Sequence, residues 1–197
     1  METSTLSIYK ELEKFGVKFV DYAYLTVLTG VTNPNTLYKI VKRLIDKNIL
    51  KTLIDGKYQV VNSVPTDFEI ANYIYNPSYI SLESALSYYG ILSQFVYTIT
   101  SITTKKSNIY EISEKEYKYS QVKSEFFTGY KMVDGFLIAT PEKALFDSIY
   151  FSLKGLVKID FKDLDLSTID IKNLELMILK TTDESMINKF RRITNDW

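Results

Sequence analysis

The chain contains no cysteine and no histidine. Without cysteine there is no disulfide framework, no thiolate zinc site and no cysteine nucleophile. Without histidine the commonest general base and the commonest metal ligand are both missing. Catalysis would have to run on carboxylates, lysines, tyrosines or hydroxyls, and the sequence points to no enzyme, cofactor or metal. Glycine is scarce, at 7 of 197 residues, and unclustered, so a glycine-rich phosphate loop is absent. No uncharged apolar run approaches the ~18 residues of a membrane span. Met1–Thr5 lacks the basic stretch and apolar core of a secretory leader. A soluble, cytoplasmic protein is expected. There is no internal repeat and no low-complexity segment.

What is present is unevenly charged. Net charge is zero, yet residues 1–62 hold nine Lys/Arg against six Asp/Glu, and the remainder holds 15 against 18. Within Asn35–Lys57 there are six basic and two acidic residues. An anionic partner for the front of the chain follows from that asymmetry.

The spacing predicts a helix over Thr5–Phe15, with Ser4 or Thr5 as cap, Ile8, Leu12 and Phe15 on one face, and Gly16 ending it. A second helix fits Asp21–Thr29, with Asp21 as N-cap and Leu25 and Leu28 inward. Gly30-Val31-Thr32 makes a tight turn. Asn33-Pro34 then caps and opens a third helix running to about Lys47, with an apolar stripe of Leu37, Ile40, Val41, Leu44 and Ile45. Ile49–Ile54 and Lys57–Val61 read as strands around Asp55-Gly56, a strong hairpin signal. Helix, helix, tight turn, helix and hairpin, in that order, is the pattern of a winged helix-turn-helix.

In that pattern the third helix reads DNA. Burying Leu37, Val41 and Leu44 turns Asn35, Thr36, Lys39, Lys42 and Arg43 outward, with Tyr38 at the flank. Asn33, Asn35 and Thr36 can exchange hydrogen bonds with base edges, and Lys39 can reach guanine acceptors. Lys42 and Arg43 suit phosphates, as do Lys57 at the wing tip and Lys51 on the first wing strand. The same pattern also fits the solvated side of an ordinary amphipathic helix, or a winged helix that docks proteins.

Asn62–Asp67, with Pro65, marks a boundary, giving domains 1–64 and 65–197. Short helices fit Phe68–Tyr75 and Ser81–Tyr89. Strands fit Tyr97–Thr103, Ile109–Ile112, Tyr117–Val122, Phe127–Met132 and Phe136–Ala139. Thr140-Pro141 opens a helix through about Leu153, and Lys172–Lys180 and Glu184–Asn195 read as two more. The fold class is α+β: a winged helix-turn-helix, then a mixed α/β domain with a largely antiparallel sheet and C-terminal helices. The many tyrosines of the second part could stack on single-stranded bases, although strand and core-edge roles explain them equally. Glu116-Tyr117-Lys118 has the Glu-x-Lys spacing of nuclease metal sites, but no Pro-Asp precedes it. With Glu111, Glu114 and Lys115 it reads as a charged hairpin. Lys189, Arg191 and Arg192 form a basic cluster that complements a helix C-terminus.

Two stretches carry a family resemblance. They are Tyr79-Ile80-Ser81-Leu82-Glu83-Ser84-Ala85-Leu86, running on to Gly90, and Ala139-Thr140-Pro141-Glu142-Lys143-Ala144-Leu145-Phe146-Asp147. With the N-terminal pattern, they make residues 5–153 resemble the AbiEi family of antitoxins from abortive-infection, type IV toxin–antitoxin systems. The resemblance implies a DNA-binding antitoxin that represses its own operon by binding operator inverted repeats. It implies that the second domain counteracts a nucleotidyltransferase-like toxin without forming a stable complex. No catalytic residues carry over. In both stretches the residues suit core and capping roles, with Ser81 as a cap, Leu82, Ala85, Leu86 and Tyr89 inward, and Ala144, Leu145, Ile149 and Leu153 likewise. A ligand-responsive transcription factor without a toxin, or a metal-dependent nuclease acting through Glu116 and Lys118, are the alternatives.

Overall fold

A computed structural model describes residues 4–195. The fold is α+β, and the chain divides into two compact units between Thr66 and Asp67.

The first unit runs α1 (Thr5–Lys14), β1 (Phe19–Asp21), α2 (Tyr22–Thr29), α3 (Pro34–Asp46), β2 (Leu50–Ile54) and β3 (Lys57–Val60). Local chemistry sets the helix starts. Ser4 accepts from the Ser7 N–H at 3.1 Å, Asp21 from the Tyr24 N–H at 2.8 Å, and Asn33 from the Asn35 and Thr36 N–H groups. Each satisfies orphan donors of a first turn. Gly30 ends α2 at φ 71°, a left-handed cap that a side chain would resist. Ile8, Leu12, Leu25, Leu37, Val41 and Leu44 pack together, and Val20, Leu50, Tyr58 and Val60 join them from a three-stranded sheet. Its order is β1-β3-β2, both pairings antiparallel. β1 is absent from the sequence expectation. Phe15 and Ile45, expected inward, are 64% and 36% exposed. Both lie at helix ends, where the facing core has run out.

The second unit contains α4 (Asp67–Ile74), β4 (Ser78–Ile80), α5 (Leu82–Tyr88), β5 (Ile99–Thr103), β6 (Asn108–Ile112), β7 (Lys115–Gln121), β8 (Tyr130–Val133), β9 (Phe136–Ala139), α6 (Pro141–Leu153), α7 (Ile171–Leu179) and α8 (Glu184–Asn195). One six-stranded sheet has the order β6-β7-β5-β4-β9-β8. Three of its pairings, β4–β5, β6–β7 and β8–β9, are antiparallel, and β7 beside β5 and β9 beside β4 add two parallel ones. Phe127–Met132, expected as one strand, begins pairing only at Tyr130, after a 3-10 turn over Ser124–Phe126. Leu153, at the last turn of α6, is 42% exposed, not inward.

Alternation places the tyrosines of the sheet on two faces. Tyr117 and Tyr119 turn to α4, donating to Asp67 Oδ1 and the Ala71 carbonyl at 3.2 and 2.7 Å. Tyr79 turns to the other face and α6, donating to Asp147 Oδ2 at 3.0 Å. All three rings are buried, so none offers a stacking surface to a base.

Candidate nucleic-acid interface

The face of α3 opposite Leu37, Ile40, Val41 and Leu44 is exposed. Asn35, Lys39 and Lys42 follow one another at i, i+4 and i+7, one line along a helix, with Thr36 and Arg43 beside it. All five are exposed, and Tyr38, 60% exposed, flanks them. Among the described residues, Lys39, Lys42, Arg43 and Lys51 have no carboxylate within 4.0 Å. The face is therefore a set of uncompensated cations with two short polar side chains at its N-terminal end. Lys47, the exposed C-cap of α3, extends it. Sequence reasoning passed over Lys47 although it lies just beyond the same stripe.

The other expected site residues are placed less openly. Asn33 commits its side-chain oxygen to the α3 cap, at 3.0 and 3.2 Å from the Asn35 and Thr36 nitrogens, so that oxygen is not available to a base edge. Lys51 is exposed on β2, in register with Gln59. Lys57 is half-buried on the central strand β3, in register with Ile54 on one side and Asp21 on the other. The two-residue turn leaves Asp55, an acid, exposed at the hairpin tip. The hairpin is short, with Lys51 exposed on its flank and Lys57 half-buried at the start of β3.

A second polar constellation lies in the second unit, and the sequence reading passed it over. Lys143 and Asp147, at i and i+4 on α6, form an ion pair with their side chains 1% and 0% exposed. Asp147 Oδ2 also accepts from the Ser81 hydroxyl at 2.7 Å and from Tyr79. Burial pushes the Asp147 carboxyl above its ordinary range, and the Lys143 ammonium and the Ser81 and Tyr79 hydroxyls pull it back. The Lys143 stem runs under Gly129, where a Cβ would stand 3.0 Å from its Cγ, and φ of +75° also favours glycine. Ser81 stands at the N-cap of α5 as expected, but its hydroxyl donates to Asp147 instead of accepting from the helix. Ser84 and Thr100 complete the junction, with Thr100 Oγ1 donating to the Ser81 carbonyl at 2.7 Å and the Thr100 N–H to Ser84 Oγ at 2.8 Å. The i, i+4 spacing of Lys143 and Asp147 was the available signal.

Glu116, the would-be metal ligand, accepts from Thr98 at 3.0 Å and stands in register with Glu111. Among the described residues no group of three His, Cys, Asp or Glu is placed to hold a metal ion, and no helix is long and apolar enough to cross a membrane. No protein-family model matches the chain, and no curated protein matches it significantly.

Proposed function

We propose that the first unit is a winged helix-turn-helix that binds duplex DNA, and that the protein is an antitoxin repressing its own operon and counteracting a nucleotidyltransferase-like toxin. The single observation that carries the DNA-binding half is the outward face of α3, where Lys39, Lys42 and Arg43 stand beside Asn35 and Thr36 without counter-ions among the described residues. Such a helix enters the major groove with its N-terminal residues at base edges and its later cations on phosphates. Two further helices and a three-stranded sheet ending in a hairpin support this reading. The antitoxin half rests on the resemblance of the Tyr79–Gly90 and Ala139–Asp147 stretches to the AbiEi family. In that reading the second unit acts on the toxin's effect without a stable complex, and the DNA sites are inverted repeats.

Fluorescence anisotropy with DNA from upstream of the gene tests the first half. Asn35→Ala should reduce discrimination between that DNA and random duplex by roughly 1–3 kcal/mol, the worth of one bidentate base contact. Equal discrimination by the variant would remove Asn35 from base reading. Co-expression with the adjacent toxin gene from an unrelated promoter tests the second half. Full-length protein should restore growth, and Leu86→Asp should not, because it places an unpaired charge at a fully buried position. Failure of the wild type to restore growth would contradict it.

A further inference from the structure

The second unit is acidic overall, with 15 Lys/Arg against 18 Asp/Glu. Yet Lys158, Lys162, Lys189 and Arg192 line one cavity of ≈ 940 Å³. Lys189 and Arg192 are one turn apart on α8, and Lys158 and Lys162 come from the segment around the 3-10 turn Phe161–Asp163. Among the described residues none of the four has a carboxylate within 4.0 Å. The carboxylate on the cavity wall, Asp160, is engaged locally, accepting from the Lys162 N–H at 3.1 Å. Lys189 is half-buried, its ammonium 5.0 Å from the centre of the Phe161 ring. Buried Phe161 and Ile193 give the cavity an apolar floor.

Four like charges converging on a concavity repel one another, and a partly desolvated ammonium without a counter-ion makes that costlier. A multiply charged anion in the cavity would reverse the sign of that interaction. We propose that this cavity binds a compact polyphosphate, of the nucleoside-triphosphate class. The volume falls within the ~300–1,000 Å³ of small-molecule sites. A compact cavity lined by cations from two segments, residues 158–162 and α8, suits clustered phosphates better than an extended backbone, which needs a track. Arg192 supplies a bidentate fork and the lysines supply point charges. Because Lys189 covers Phe161, recognition rests on the phosphates and not on a base.

Titration calorimetry of the full chain at fixed ionic strength tests this with three probes: inorganic tripolyphosphate, ATP without metal, and a short single-stranded RNA with a 5′-hydroxyl. Tripolyphosphate and ATP should each bind at one saturable site, with Kd values within about threefold of one another. Lys189→Gln with Arg192→Gln should raise both Kd values by about tenfold or more, since two charge-assisted contacts are lost. Lys39→Gln with Lys42→Gln, on α3, should change them by less than about twofold, because those charges are not in the cavity. Should the first pair lose its folded thermal transition, Lys158→Gln with Lys162→Gln, at exposed positions, carries the same expectation. Absence of saturable binding would overturn the proposal, as would equal weakening by the α3 pair. Tighter binding of the RNA than of tripolyphosphate, lost in the cavity variants, would reassign the site to a nucleic-acid backbone.

Discussion

At the scale of single residues, the buried Lys143–Asp147 pair makes the sharpest claim about stability. A buried pair is close to neutral against apolar replacements, but breaking it strands a charge. Lys143→Met should therefore destabilise the second unit by about 3–5 kcal/mol in urea titration. Adding Asp147→Asn removes the stranded charge and keeps an acceptor for the Ser81 and Tyr79 hydroxyls, so the double variant should recover most of the loss. A double variant as unstable as the single would contradict the ion-pair account. The tyrosines give a pH dependence. Burial holds the phenols of Tyr79, Tyr117 and Tyr119 above the ordinary tyrosine value, and that of Tyr89 up to about 12. A raised folded value means that the folded chain holds the proton more tightly than the unfolded one. The contribution is complete below the unfolded value of about 10 and is lost as pH rises through the folded values. Tyrosinate absorbance should show these buried phenols still protonated at pH ~10, titrating only as the fold is lost. Simultaneous titration of every phenol near that pH in an intact fold would contradict the assigned burial.

At the scale of elements, legibility tracked length and chemistry. α2, α3 and α6 were readable because each begins with a capping side chain, and in α3 and α6 a proline follows at the first helical position. The β2–β3 hairpin was readable from Asp55-Gly56. β1 and β4 were not, because a three-residue strand shows barely one period of alternation. β4 is also buried along its whole length, so it has no polar side to alternate with. The errors of facing, at Phe15, Ile45 and Leu153, all come from extending a helical stripe past the end of the surface it packs on. For the candidate interface, the cations of α3 were visible from periodicity alone. Two assignments were not resolvable that way. Asn33 is a cap and a base reader by composition, and only its hydrogen bonds separate the two roles. Lys57 looked like a tip residue, yet pairing with β1 makes it central in the sheet.

At the scale of the whole molecule, the basic α3 face lies in one unit, while the Lys143–Asp147 cluster and the four-cation cavity lie in the other. The cavity was invisible in the sequence because its cations are separated by some thirty positions and meet only through packing of α8. The DNA-binding half of the proposed function rests on the claim that α3 grips DNA. The salt dependence of affinity for the upstream DNA measures that grip. If Lys39, Lys42, Arg43 and Lys51 neutralise phosphates, log affinity should fall against log salt with a slope on the order of −4, and Arg43→Ala should flatten it by about one unit for every sequence alike. A salt-independent affinity, or a slope unchanged by Arg43→Ala, would contradict the account.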